Sequence, residues 1–513
     1  MGRDNAFTAS DVLVVAFAFA LFALIRRLSR PEKGPLPPGP PGLPLLGNTF
    51  DIPKEQAWVA FRDLSSKYGD VVALNALGQT IVIVSSVEAA VDLLDKRSAI
   101  YSDRQASVLA DMIGWTWNLA FKRYGDDWRR VRRLFWHHFQ PNAVGQYRAV
   151  QQRDVRDLLR RLLEGPTDLD GEMKLTLTKT ILTAVHGLPK EAVTSRYVDI
   201  LTASEAGIAE AFSPGAFLVE FCPWLRHVPG WLPGTGWQRK VREWQGQSDA
   251  IREEPFRAAK EAMRRGEAEP SMLTDLLEKS REGELDEDAI KETTAVAFGA
   301  GTDTTAATLH AFVLAMILHP SVQQRAQAEL AAIVGPERLP EHADRAALPY
   351  VDAMVKELLR WHNVAPLGVA HRCMREDEYR GWRIPESAIV MPNAWAILHD
   401  PETFPDPDEF RPERFLKDGR PNTDVLDPGS VAFGFGRRIC PGQHFAEDAL
   451  FIAIASLLHV FDFGRALDEH GRPIPVEVKM TSGFLSYVED YKYSIRPRSA
   501  AAETLIRGEA VPA

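Results

Sequence analysis

Cysteine is scarce. The 513 residues contain three, Cys222, Cys373 and Cys440, without paired spacing. That count excludes a disulfide framework and a zinc ribbon, and it fits a reducing compartment. No Asn-x-Ser/Thr acceptor occurs, so nothing asks for a lumenal location. Excess positive charge is missing as well: the formal net charge of -10 argues against nucleic acid as a partner. There is no internal repeat and no low-complexity domain linker. Long apolar runs are absent except for Val12 to Ile25, and that run is shorter than the ~18–20 residues of a spanning helix.

What remains is ordinary folded material, 45% hydrophobic and 25% charged, with ample apolar sequence for a sizeable core. Small or apolar residues from Ala6 to Ser10 extend the Val12–Ile25 run, and Arg26, Arg27, Arg30 and Lys33 follow it. A cleaved signal would carry its charges ahead of the apolar stretch. With the charges behind, the run reads as a retained anchor that leaves the rest of the chain cytoplasmic, with a tilted or interfacial helix as the alternative. Pro35 to Pro44 holds too many prolines for helix or central strand and reads as semi-rigid polyproline. Val71 to Leu77 and Thr80 to Ser85 form a hairpin pattern about Gly78-Gln79. Most of the chain from Val87 to Leu330 reads as helices. The longest helical pattern, Asp288 to His319, is closed by Pro320.

The chemistry centres on Phe433-Gly434-Phe435-Gly436-Arg437-Arg438-Ile439-Cys440-Pro441-Gly442. Gly436 and Gly442 permit tight turns and close approach of a bulky partner. The start of the following helix and Arg438 favour a thiolate at Cys440, and Phe433 is a flat apolar shield. An anionic sulfur beside a guanidinium suits an iron porphyrin, with sulfur on the metal and Arg438 on a propionate. A lone cysteine is by itself more often buried and inert. The complete order Phe-x-x-Gly-x-Arg-x-Cys-x-Gly, however, resembles the haem-ligand signature of the cytochrome P-450 superfamily.

Other segments carry the same resemblance. Trp128 and Arg132 share a helix face and match the Trp-x-x-x-Arg pair that holds a haem propionate. The neighbouring Arg129, Arg130 and Arg133 read as a solvated basic face able to dock an acidic redox partner. Ala300-Gly301-Thr302-Asp303-Thr304-Thr305 is similar to the oxygen-activation motif, in which the acid and hydroxyl of Asp303 and Thr304 relay protons. Read alone, such a hydroxyl more often bonds back to its own helix. Glycines there (Gly299 and Gly301) cost ~1 kcal/mol each against Ala, which points to close passage of a flat ligand. Glu357, Arg360 and Arg414 match a buried network behind the haem. His371 either reaches the second propionate or is a structural histidine. The hinge, the Tyr-Gly-Asp-Asp-Trp run and residues 392–401 resemble fungal secondary-metabolism members, including those near tryptamine monooxygenase.

The resemblance implies a mainly α fold with small β-sheets and an N-terminal membrane-anchor helix. It divides the chain into an anchor (1–30), a proline-rich hinge (31–48), a catalytic domain (49–498) and a flexible tail (499–513). It implies haem b bound by Cys440, with Trp128, Arg132, Ala300, His371, Phe433, Arg438 and Gly442 around it. Electrons come from NADPH through a separate reductase. Dioxygen and a small, largely apolar molecule are the substrates, in secondary metabolism or xenobiotic oxidation at the endoplasmic reticulum. Pocket residues are expected in 107–118, 296–304, 364–370 and 483–485, with Trp115, Trp117 and Phe484 pointing to an apolar or aromatic guest. Two other classes share these features: a haem-thiolate isomerase or dehydratase, which would not need NADPH, and a non-catalytic haem-binding membrane protein.

Overall fold

The computed structural model describes residues 34–165, 168–211, 217–220, 222–232, 234–281 and 285–508. The expected anchor and its basic flank lie outside them. The described residues begin with the proline-rich stretch, which is not a free linker. Pro38 O accepts from Ala73 N–H at 3.0 Å and Pro35 O from Arg383 N–H at 2.7 Å, so the hinge is docked along a sheet edge.

Helix α1 (Ala57–Tyr68) precedes strands β1 (Val71–Ala76) and β2 (Gln79–Val84). Their antiparallel register, Ala76↔Gln79, puts the turn at Leu77-Gly78, one residue earlier than the sequence pattern implied. Both turn residues have positive φ, 49° and 88°, the geometry a two-residue hairpin requires. The longer helices are α2 (Asp126–Phe139), α3 (Arg148–Leu163), α4 (Leu169–Ile181), α5 (Ser195–Ala211), α6 (Trp237–Arg265) and α7 (Glu287–Leu318). They are followed by α8 (Pro349–Trp361), β3 (His371–Arg372), β4 (Ile389–Pro392), α9 (Gln443–Val460), β5 (Phe461–Arg465), β6 (Tyr493–Pro497) and α10 (Ala500–Arg507). The main sheet runs β1-β2-β4-β3, with β2 and β4 parallel, and β5 pairs with β6.

Helix α7 has 32 residues, about 48 Å at 1.5 Å per residue, and crosses the whole domain. Asp286 caps its start through the Asp288 N–H. By length and composition it could span a membrane, but its apolar window is 83% buried, which marks it as a core helix. Its C-terminal half packs Phe312, Leu314 and Ile317 against Leu358 of α8 and Leu457 of α9. Its N-terminal half packs Phe298 with residues of α2, α4 and α6. Three layers of helix thus fix one axis, and the site hangs on the middle of that axis. Within the segment expected to be a flexible tail, the described residues 499–508 are largely helical. Ser499 Oγ accepts from Ala502 N–H and starts α10, which buries Ala502 and Ile506 in the main core.

Candidate functional site

The loop 433–442 leads into α9. Its own backbone closes it: Cys440 N–H donates to Phe433 O at 2.7 Å. Gly436 has φ +55°, and a Cβ there would stand 2.3 Å from Leu94 O, so no side chain fits. Gly442 has φ −92°, so its role differs from the expected tight turn. A Cβ on it would sit 3.9 Å from the Cys440 sulfur, so its bareness leaves that sulfur open on one side. Cys440 lies deep in the molecule, yet its surface is accessible because the thiol opens on a cavity.

Burial pushes the Cys440 thiol above its ordinary value, against the opposing pull of the Gly442 and Gln443 N–H groups and Arg132. The sequence had implied the reverse balance, and had named Arg438 as the nearby charge. The apolar surroundings outweigh the helix start, and a metal cation is the partner that would hold this sulfur as thiolate. Cys373 is a contrast: buried, donating to Arg375 O at 2.8 Å and pushed up to about 11, it is an inert thiol.

The cavity above Cys440 has a volume of about 650 Å³ and is lined by all ten residues singled out from the sequence. One wall is cationic without matching acids. Trp128 Nε1 is buried and has no hydrogen-bond partner. Arg132 has no hydrogen bond or ion pair among the described residues, and burial holds its guanidinium below the usual value. Arg438 lies 4.5 Å over the Trp128 ring and donates to the carbonyls of Ser102, Leu119 and Lys122. Of its five N–H groups that uses three. Arg104, which no sequence motif marked, is also buried here, bonded only to the carbonyls of Ala120, Val369 and Ala370. Three guanidiniums and an orphan indole N–H facing one apolar cavity require an anion. The propionates of haem b meet that need, and the open sulfur meets its iron, so the residues present fit the group.

His371 sits on edge strand β3. Its Nδ1 is 2.6 Å from Tyr101 O, and since a carbonyl only accepts, Nδ1 carries the proton. Burial, with Arg104 and Arg438 adding, holds the ring neutral. A neutral ring then offers only a lone pair at Nε2. The structural reading of His371 therefore gains weight, and holding a carboxylate would take a second proton.

Across the cavity runs the centre of α7. Thr304 Oγ1 donates to Ala300 O at 2.8 Å, the helix-internal bond that the sequence left open, while its lone pairs stay free. Asp303 is 2% exposed and accepts from the Tyr487 hydroxyl, with Lys174 Nζ at 3.7 Å. The two glycines have separate reasons. A Cβ on Gly299 would meet nothing within 4 Å, whereas one on Gly301 would stand 3.0 Å from Ile181 Cδ1, so Gly301 serves the packing of α7 on α4.

Behind the site, Arg360 grips Glu357 with two bonds of 2.8 and 2.9 Å, and Arg414 Nε adds one of 3.1 Å. The triad expected from Glu-x-x-Arg and Pro-x-Arg-Phe is thus assembled. Other expectations are trimmed. Trp115 and Phe484 line the cavity, but Trp117 points into the core and donates to Ser248 Oγ at 3.1 Å. Arg129 and Arg130 are held by Asp126, Asp127 and Asp286, which leaves less free basic surface than the sequence implied.

The cytochrome P450 family model matches residues 37–493. A cytochrome P450 monooxygenase of Armillaria gallica is 40% identical over 97% of this chain and 99% of its own length. Cytochrome P450 monooxygenase COX1 of Coprinopsis cinerea is 38% identical, covering 97% and 98% respectively. Tryptamine 4-monooxygenase of Psilocybe cyanescens is 37% identical, covering 95% and 98%.

Proposed function

The chain belongs to the cytochrome P450 family and is a haem-thiolate monooxygenase, and we propose that it oxidises a small, largely apolar organic molecule while held at the endoplasmic reticulum membrane. Bound haem supplies the redox chemistry, activating dioxygen with electrons from NADPH passed on by a separate reductase. The chain's own residues do the rest. Cys440 Sγ holds the iron, and Trp128, Arg132, Arg438 and Arg104 hold the propionates. Phe433 shields the sulfur from water, and Gly442 keeps its open side clear. Asp303 and Thr304 hold and pass protons on the opposite wall.

Trp115, Phe121 and Phe484 give the guest chamber an aromatic lining, with Phe121 and Phe484 centred 5.8 Å apart. That lining supports an aromatic or other apolar substrate, in secondary-metabolite synthesis or xenobiotic oxidation. A basic face that retains Arg133 supports docking of an acidic reductase surface. Exposed Leu45, Phe50, Trp224 and Trp231, 64–80% accessible, support contact with lipid beyond the anchor.

The observation that carries the reading is the open Cys440 sulfur in one apolar cavity with three guanidiniums that form no ion pair among the described residues. Cys440→Ala is expected to abolish the red-shifted Soret band of the reduced carbon monoxide complex; its survival would move the ligand elsewhere. Co-expression with a reductase, followed by a substrate panel, is expected to give oxygenated product only with NADPH. Product formed without NADPH would turn the reading toward an isomerase or dehydratase.

A further inference from the structure

The cavity has a polar arm that the proposed chemistry leaves unexplained. It runs from Thr304 past Asp303 to Glu205 on α5 and to Lys174 and Asp170 on α4. Two buried carboxyl oxygens along it, Glu205 Oε1 and Asp303 Oδ1, have no N–H or O–H donor. Yet the two carboxyl groups are hydrogen-bond neighbours of each other. Two acceptors can meet only if a proton lies between them. The charge balance agrees. Lys174 is the ammonium here, 3.0 Å from Asp170 and 3.7 Å from Asp303, so one cation faces three carboxyls. Adjacent carboxylates short of a counter-charge retain a proton.

We propose that Glu205 is the proton donor to Asp303, the two carboxyls sharing one proton that recharges the Asp303–Thr304 pair. The inference rests on the monooxygenase reading, in which protons are consumed as water is released. The Glu205 O–H bond breaks as an O–H bond forms on Asp303, and Asp303, a carboxylate until then, passes that one proton on toward Thr304 and is a carboxylate again. The Glu205 carboxylate then takes a proton from Lys174, and the amine takes one from solvent at Asp170, whose side chain is 35% accessible. No electrons move, and the net event is one proton carried inward. Tyr487 donates its hydroxyl to Asp303 and positions it. Burial and the charge of Asp303 push the Glu205 carboxyl up to about 10, in keeping with a proton held at neutral pH.

Infrared spectra of the full-length holoprotein at slightly alkaline pH test the pair without turnover. A carboxylic-acid carbonyl band that shifts in deuterium oxide is expected in the wild type and absent from Glu205→Gln. With reductase and a turned-over substrate, Glu205→Gln is expected to lose ~10-fold in product formed per NADPH, with peroxide rising and a larger solvent isotope effect. Glu205→Asp, which keeps the acid on a shorter arm, is expected to recover part of the coupling, and it serves as the test should the Gln variant not fold. A wild-type spectrum without the band, a band that survives Glu205→Gln, or unchanged coupling in both variants would overturn the assignment. Failure of the monooxygenase reading looks different: no product from any substrate, with the carboxylic-acid band still present.

Discussion

A carboxyl group that keeps its proton at neutral pH weakens a fold as the pH rises. Glu205 faces Asp170 and Lys174 from α4, Asp303 from α7 and the hydroxyl of Tyr487, and it is pushed up to about 10. In the unfolded chain it titrates near the ordinary ~4.3. Between those values the folded state binds a proton the unfolded state has lost, so stability falls with rising pH across that window. Glu205→Gln removes the dependence. The variant is therefore expected to melt close to the wild type near the acid end of the window and above it near the alkaline end, the gap widening steadily between. Thermal melts across the window check this, and a pH-independent gap would mean that Glu205 is ionised in the native protein. None of this was legible in the sequence. Glu205, Lys174 and Tyr487 belong to no short pattern, and three separate elements bring them together. Arg104 escaped for the same reason, since its partners are carbonyls of remote loops. Cys440, Trp128 and Arg132 were legible because a tight loop and one helix turn encode their geometry locally.

At the scale of elements, local spacing decides what can be read. The Glu357–Arg360 pair follows from three-residue spacing on α8, and the resemblance added Arg414. The structure shows why the pattern has weight here: Glu357 and Arg360 side chains are both 0% exposed. Glu357 also accepts from the Arg411 backbone N–H at 2.7 Å, so the acid ties α8 to the segment beyond it. Glu357→Gln would leave two guanidiniums buried around a neutral amide, at a cost of ~3–5 kcal/mol. A lower melting temperature and reduced haem content are expected, measured on purified protein by thermal melt and haemochrome assay. Arg360→Lys is expected not to rescue the fold, because an ammonium cannot make the two-pronged bond. Wild-type stability in either variant would remove the triad from its folding role. Where spacing is ambiguous, the reading slipped. The hairpin turn moved by one residue because Leu77 accepts a positive φ, and Trp117 faced the core because Ser248 of α6 offers it an acceptor. The final segment was read as frayed from its composition, although the pair Ala502 and Ile506 at helical spacing behind Ser499 was the available signal for α10.

At the scale of the molecule, the proposed attachment to lipid can be tested by truncation. The Val12–Ile25 run and the basic cluster behind it are the proposed anchor, and the residues assigned to haem all lie at position 104 or beyond. Deletion of Met1 to Arg30 is therefore expected to release most of the protein from the membrane pellet with its haem content intact. The described surface offers a second, weaker candidate contact. Trp231 is 80% and Trp224 64% exposed, in the connection between α5 and α6, and Phe50 is 76% exposed after the docked hinge. An exposed indole is at home at a bilayer interface, where its ring is half buried and its N–H stays wet. The truncated protein should then retain partial binding to neutral vesicles in a flotation assay, insensitive to salt because no charge is involved. Trp224→Ser with Trp231→Ser is expected to weaken that residual binding several-fold without changing haem content, since neither side chain lines the cavity. Full retention of the truncated protein in the pellet would show that the apolar run is not the main anchor. Residual binding undiminished in the double variant would place the second contact elsewhere on the surface.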